Sequence, residues 1–539
     1  MADLLAGLLV GVVAVPLAIA FAIASGAPPI AGLVTGVVAG AMISMFGGSR
    51  FQIGGPTGAF VGLCAAIAHT HGFGGLALAS VMGGVLLIAL GAFRLGAVVR
   101  FIPTPVVVGF TSGIAAIIAS TQLRDAFGIS QWPAEAPAHV HDRLIAVWDG
   151  MGSWNPWAPI LAVSVVAIIL VFRCYLPRWP GALIAIVGVS GVAIGAGIPV
   201  ETIAERYGAL PMGFPAPSLD VFVDLEIHGF GDLMTKMREL SGAALAVGLL
   251  AAIESLLSAT VADHMGGDRH DSDMELMAQG AANIAAPLFG GLPATGAIAR
   301  TATNIRAGAR SPVAGLVHAA VLLMVAIAAG PLVQRIPLCA LAGVLVVVAW
   351  YMSELGRWPR IMRGGRSDAL LLPLAFLLTV FVDLAVAVEV GVVLGMFFFV
   401  RRMSLSTQAR SWCPSELAAD AVDPADIPDT VEIIEINGPF FFGIAAELRE
   451  LIEALEPHHR YAVLRMRSVP FIDATAAASL DDLVRDCRKQ GAEVFICGAG
   501  EQCAQDLDRH GVTERVGQAH VLPDLPAVLV AIAAAEAAA

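Results

Sequence analysis

Charge is what this 539-residue chain has least of: Asp, Glu, Lys and Arg make up only 14% of it. Soluble domains carry about 25%, so most of the chain is not built to face water. Tyrosine is also scarce, with four residues, and aromatic residues together reach only 7%. The seven cysteines (Cys64, Cys174, Cys339, Cys413, Cys487, Cys497 and Cys503) are scattered, with no CxxC spacing. That pattern argues against a disulfide framework and against a structural zinc site. Basic residues are in deficit, giving a net charge of −13, which argues against nucleic acid as a partner. The N-terminus Met1-Ala2-Asp3-Leu4 lacks the basic stretch of a secretory signal, so the first apolar run is expected to be a retained membrane span.

Apolar residues dominate instead, at 57% with a mean hydropathy of +0.80. Up to Arg401-Arg402 they form successive runs; after Arg410 charges are spread as in an ordinary soluble domain. A membrane crossing needs about 20 apolar residues. Runs of suitable length lie near 4–25, 29–46, 75–93, 104–122, 158–172, 181–198, 241–262, 312–333, 337–352, 369–382 and 384–400. Three further segments are short or interrupted by polar residues: Pro56–Ala68, Glu275–Phe289 and Thr295–Ile305. The reading is an α-helical polytopic membrane protein of about fourteen segments.

Arginine placement orients it. Arg94/Arg100, Arg173/Arg178, Arg269, Arg357/Arg360/Arg363/Arg366 and Arg401/Arg402 fall on one side if the N-terminus is cytoplasmic. The long loops near 123–156 and 199–240 then lie outside, and both termini are expected inside.

An internal echo suggests two halves of seven. Phe46-Gly47-Gly48 precedes the short segment at Pro56, and Phe289-Gly290-Gly291 precedes the one near Thr295. Ile102-Pro103 and Ile336-Pro337 each open a later span. Paired, Gly/Pro-interrupted short segments point to a transporter's binding site, and an odd number of spans per half inverts the second half.

Both short segments begin with small residues, Gly54-Gly55-Pro56-Thr57-Gly58-Ala59-Phe60 and Pro293-Ala294-Thr295-Gly296-Ala297-Ile298-Ala299-Arg300. Each helix start would offer free backbone N–H groups and about half a positive charge. Two such starts facing one another would make an anion site built mainly of backbone; the alternative is that small residues merely permit tight helix packing. Arg300 is a charge at membrane depth, where charge by default marks function with a partner nearby. Glu254, with Ser258 one turn on along the same face, is the expected partner, either as a coupling group or as a purely structural ion pair. The histidines His69, His71, His264 and His270 read as surface groups.

At these residues the chain resembles the SulP (sulfate permease) family, bacterial relatives of the mammalian sulfate/chloride/bicarbonate exchangers. The resemblance is carried by Gly47-Gly48-Ser49-Arg50 through Gly55-Pro56-Thr57, by Gly109-Phe110-Thr111-Ser112-Gly113, by Ala252-Ile253-Glu254-Ser255-Leu256-Leu257, and by Gln279-Gly280 through Asn304-Ile305-Arg306-Ala307-Gly308. It implies a UraA-like inverted repeat of seven plus seven segments, with core and gate subdomains over residues 1–403. It also implies a homodimer and a substrate held by Thr57, Gly58, Ala59, Phe60, Phe21, Gly296, Ala297, Ile298, Ala299 and Arg300. The family's Pro-Gln-x-x-x-Tyr/Phe pattern reads Pro16-Leu17-Ala18-Ile19-Ala20-Phe21 here, so the glutamine's hydrogen bond is lost. By resemblance, members that couple to sodium use an acid on segment eight with small residues on segment ten; Arg300 stands at that position and disfavours sodium. The closest likeness is to the C4-dicarboxylate subgroup, which implies proton-coupled, elevator-type secondary transport. The substrate is expected to be a C4-dicarboxylate, sulfate or bicarbonate; a passive channel or an exchanger of the same fold is the alternative.

Beyond a linker at 404–428, residues 429–539 alternate strand and helix: Val431–Ile436, Ala445–Glu456, Tyr461–Met466, Thr475–Lys489 and Glu493–Cys497. Val463–Met466 and Val469-Pro470-Phe471-Ile472-Asp473-Ala474-Thr475 resemble a cytoplasmic STAS domain, in which Thr475 matches a phosphorylated position; a helix N-cap role for Asp473 or Thr475 is the alternative. The resemblance implies a cytoplasmic regulator of this domain as a partner. No catalytic set, cofactor motif or metal site is found, so no enzyme activity is expected.

Overall fold

The computed structural model describes residues 1–96, 103–133, 137, 139–176, 179–208, 213, 216–225, 229–328, 330–382, 384–406, 408–411, 427–440 and 459–538. It divides into two compact units, Met1–Gly395 and Met396–Ala539.

In the first unit each of the fourteen expected segments has a helix. The first half runs α1 (Ala2–Ala24), α2 (Pro29–Phe46), β1 (Gly54–Gly55), α3 (Gly58–Ala92), α4 (Thr104–Phe127), the short α5 (Val140–Gly150), α6 (Trp157–Tyr175) and α7 (Gly181–Gly195). The 35-residue α3 is two segments broken at Gly72, whose φ is 70°. After the short α8 (Ile203–Tyr207) and α9 (Phe230–Glu239), the second half follows. It comprises α10 (Ser241–Gly266), α11 (Ser272–Leu288), β2 (Thr295–Gly296), α12 (Ile298–Arg306), α13 (Val313–Ala328), α14 (Gly330–Val333), α15 (Leu338–Met352), α16 (Trp358–Met362), α17 (Arg366–Phe381) and α18 (Leu384–Ser406), which begins in the first unit and ends in the second. Among the described residues seven helices are long and apolar enough to cross a membrane alone.

The halves repeat their packing. α1 packs on α13 as α10 packs on α3; α2 packs on α13 as α11 packs on α3; α4 packs on α17 as α15 packs on α6. This exchange of equivalent partners is what an inverted repeat requires. It also sorts α1–α3 and α10–α13 into one packed group, and α4, α6, α7, α15 and α17 into another.

Close helix approach is set by glycine where α3 crosses α11. A Cβ on Gly84 would sit 2.6 Å from the Gly280 carbonyl, and a Cβ on Gly280 would sit 2.5 Å from the Gly84 carbonyl. Lipid supplies no hydrophobic drive between helices, so such backbone-to-backbone contact carries the association.

In the second unit five strands are ordered β3-β4-β5-β6-β7. They are β3 (Gln408–Ser411), β4 (Val431–Asn437), β5 (Tyr461–Ser468), β6 (Glu493–Cys497) and β7 (Val521–Leu522). β4 to β7 are parallel and β3 is antiparallel to β4. Residues 408–411 therefore belong to the sheet and not to a free linker: they cover the β4 edge, which would otherwise present unpaired backbone groups. α19 (Ala474–Lys489) covers one sheet face through Leu480, Val484 and Cys487 against Ile434, Leu464 and Ile496. α20 (Glu501–Arg509) and α21 (Val512–Val516) complete that face through Cys503, Leu507 and Val512. α22 (Leu525–Ala538) covers the other through Val528 and Ile532 against Val463 and Phe495. The helix expected over Ala445–Glu456 lies outside the described residues.

Candidate functional site

The two short segments meet. β1 pairs antiparallel with β2, Gly54 opposite Gly296 and Gly55 opposite Thr295. The Ala297 N–H donates to the Ile53 carbonyl (2.8 Å), and the Ile53 N–H donates to the Thr301 hydroxyl (3.1 Å). Directly after the paired strands the chain turns into helices starting at Gly58 and Ile298, so both electropositive starts issue from one crossover inside the membrane unit.

Backbone hydrogen bonds alone do not hold the crossover. α10 supports it from behind: Thr295 donates to the Ala251 carbonyl (3.1 Å), Ser258 and Thr301 share a hydrogen bond (3.1 Å), and the Gln52 amide donates to Ser255 (3.0 Å). Ser255 in turn donates to Glu275 (2.9 Å), which also accepts from Gln279 (2.8 Å). Asn283 donates to the Ala294 carbonyl and accepts from its N–H. Buried polar groups need partners, and this chain of side chains ties α10, α11 and both crossover strands into one frame.

Thr57 precedes α3 in extended conformation without capping it, and its buried hydroxyl has no hydrogen-bond partner. Gly58, Ala59 and Phe60 are buried in the first turn. A Cβ on Gly58 would lie 3.3 Å from the Phe21 ring and 2.6 Å from the Met352 sulfur, so Phe21, on α1, closes over that turn. Gly296 is buried against Gln52, Ala297 is buried, and Ile298 and Ala299 are exposed.

Arg300 is 3% exposed. Its guanidinium donates to the Pro56 carbonyl at the end of β1, and its Nη1 has no partner among the described residues. Gly55 makes room for it: φ there is +145°, and a Cβ would come within 2.8 Å of Nη1. One element's cation thus sits against the other element's backbone, with a donor left over.

The expected ion pair between Glu254 and Arg300 is not made. Arg300 is turned back to the Pro56 carbonyl, while Glu254 faces a cavity of about 710 Å³ that it shares with Ile298, Thr104, His264, Glu354 and Arg357. Ser258, expected beside Glu254, bonds instead to Thr301. The cavity separates the α10–α12 wall from α4 and the turn before α16. His270 is not a free surface group, since it bonds Asp263 (2.6 Å) and Ser272 (3.0 Å).

Two buried polar residues escaped the sequence reading. Hydropathy marks Glu275 only as the start of a short segment, though its spacing to Gln279 and Asn283, four and eight residues on, marks one polar helix face. His318 on α13 is fully buried with both ring nitrogens unpartnered; a single histidine in an apolar run carries no signal of its neighbours. In the second unit Asp473 caps α19 by accepting from the Ala476 N–H (2.7 Å), leaving Thr475 exposed in the first turn. Among the described residues no cluster of three or more His, Cys, Asp or Glu is placed to hold a metal ion.

Residues 1–375 match the model of the sulfate permease family, and residues 424–525 match that of the STAS domain. This chain belongs to the sulfate permease family. YvdB of Bacillus subtilis is 40% identical over 484 residues, covering 89% of this chain and 88% of that protein. The bicarbonate transporter BicA of Synechocystis is 31% identical over 504 residues, covering 90% of this chain and 86% of BicA. The solved transmembrane domain of a cyanobacterial BicA superposes with a TM-score of 0.63 at 30% identity, covering 72% of this chain and 97% of that one. The structure of SLC26A9 shares the fold, with a TM-score of 0.85 at 19% identity, covering 99% of this chain and 90% of that one. The chain is a multi-pass membrane protein of an anion-transporter family, with a UraA-like membrane unit and a STAS domain.

Proposed function

We propose that this sulfate permease family member is a proton-coupled secondary transporter of a small oxyanion, sulfate or bicarbonate, with the anion bound where the α3 and α12 starts issue from the β1–β2 crossover. One observation carries the reading: a buried arginine with an unpartnered donor lies against two helix starts that share one pair of strands. Thr57, Gly58, Ala59, Phe60 and Phe21 form one wall, and Gly296, Ala297, Ile298, Ala299 and Arg300 the other. Backbone N–H groups, the Thr57 hydroxyl and Arg300 supply donors, and the small residues let an oxyanion approach them. Relatives named for sulfate and for bicarbonate support this substrate class.

Glu254 supplies the proton site. It is a mostly buried carboxylate that makes no ion pair among the described residues and opens on a cavity reaching Ile298. The group of helices carrying the crossover moves against the group built on α4 and α15, an elevator displacement that the two-group packing supports. The protein works as a homodimer in the bacterial inner membrane with both termini cytoplasmic, the orientation its arginines favour, and Thr475 is a modification site open to a cytoplasmic regulator.

Proteoliposomes test this. Labelled sulfate competed by bicarbonate and by fumarate identifies the substrate; fumarate winning would assign the chain to dicarboxylates. Uphill uptake driven by an inward proton gradient is expected, and flux that never exceeds the anion's own gradient would make the protein a channel. Glu254→Gln retains anion exchange but loses uphill uptake.

A further inference from the structure

The far end of α4 carries a second cationic site. Thr104 at its start lines the Glu254 cavity, whereas Arg124 near its end lines a crevice of about 340 Å³. Those residues are about 30 Å apart along the helix, so the crevice opens at the opposite mouth. It runs between the two helix groups: Ser25, Gly26 and His69 belong to the α1 and α3 side, and Gln122, Arg124 and Arg206 to the α4 side.

Guanidinium predominates along its lining. Three guanidiniums line it, those of Arg124, Arg143 and Arg206, against one carboxylate, Asp125, among the described lining residues. Asp125 is already taken by Arg206 (2.7 Å), which also pairs with Glu201. Arg143 is 9% exposed and donates to the Pro137 carbonyl (2.9 Å) and to Ser120 (3.2 Å). Among the described residues Arg124 has no carboxylate within ion-pair distance and its buried Nε has no hydrogen-bond partner; its guanidinium lies over Trp132, 5.6 Å from the ring centroid. A buried donor without an acceptor is costly, and an aromatic face does not accept that N–H as an oxygen would.

We infer that this crevice is a second anion site, in which Arg124, flanked by Arg143 and braced on Trp132, captures a small inorganic anion at the mouth opposite the Glu254 cavity before it reaches the crossover. Its placement at the seam between the moving groups suits an antechamber: a cleft in which one sign of charge predominates between low-dielectric walls concentrates its counter-ion. The site uses none of the crossover residues.

Trp132 reports occupancy. In the detergent-solubilised full chain, the fluorescence lost in Trp132→Phe isolates this indole, and iodide serves as a quenching anion with neutral acrylamide as the control. At constant ionic strength set with gluconate, iodide should quench Trp132 at least threefold more than acrylamide does, relative to free tryptophan. Sulfate should relieve that excess. Arg124→Gln should abolish the excess without changing acrylamide quenching, Arg124→Lys should keep part of it, and Arg300→Ala should leave it intact. Equal iodide quenching in the unchanged chain and in Arg124→Gln, or no relief by sulfate, overturns the site. Because Arg300→Ala is scored separately, failure here leaves the crossover reading standing.

Discussion

Arg300 reaches across from α12 and donates to the carbonyl of Pro56 on the other half of the repeat, so each half of the chain completes the other's helix start. The same bond leaves Nη1 unpartnered beside the Gly55 backbone.

Removing that cation should cost affinity more than structure. Charge-assisted hydrogen bonds contribute about 1.5–3 kcal/mol, so Arg300→Ala should weaken anion binding about 10- to 100-fold. The variant should still elute as a folded species, since among the described residues Arg300 makes no ion pair and donates one hydrogen bond, to the Pro56 carbonyl. Equilibrium binding of labelled sulfate or bicarbonate checks this.

Gly55→Ala should disable the site from the backbone side. A side chain at φ +145° is strained, and its Cβ would lie 2.8 Å from Arg300 Nη1. The expected cost is about 1–3 kcal/mol, read as a lower melting temperature in detergent together with reduced anion binding. Gly84→Ala, distant from the crossover but 2.6 Å from the Gly280 carbonyl, should lower stability by separating α3 from α11.

The frame behind the crossover makes its own prediction. Glu275 accepts from Ser255 and Gln279 while fully buried. Glu275→Leu should strand both donors and destabilise by about 2–4 kcal/mol. Glu275→Gln, which keeps an acceptor oxygen, should cost less. Thermal melts of the two variants side by side rank them.

Much of this architecture was legible beforehand because burial in lipid leaves a one-dimensional trace: an apolar run has to be long enough, and its charged flanks must face water. The two Gly/Pro-interrupted segments stood out for the same reason, since each breaks a run that would otherwise span. What hydropathy cannot carry is reach. Glu254 and Arg300 were matched as opposite charges at similar depth, but a side chain's partner depends on which way its helix turns. α12, beginning one residue after β2, aims its arginine back at Pro56. The β1–β2 pairing joins residues from opposite halves and has only two pairs, too short for any strand pattern. The Gln408–Ser411 strand was equally silent, because an edge strand of four residues needs no alternation.

Thiol chemistry probes the second unit. Burial pushes the Cys487 and Cys503 thiols up to about 11. At pH 8 only about one in a thousand of either is thiolate, and reactivity rises as pH climbs towards that value. Among the described cysteines Cys174 alone is exposed. In a variant with Cys413 replaced by Ser, maleimide at pH 8 should label Cys174 at once, with Cys487 and Cys503 following only on unfolding.

The central claim is tested most directly by a cryo-EM map of the full chain at saturating concentration of whichever anion wins the competition assay. The account predicts density between the Thr57–Phe60 turn and the Ala297–Arg300 turn, within hydrogen-bond distance of Arg300. Density confined to the Glu254 cavity, with the crossover unoccupied and Arg300 unchanged, would contradict it.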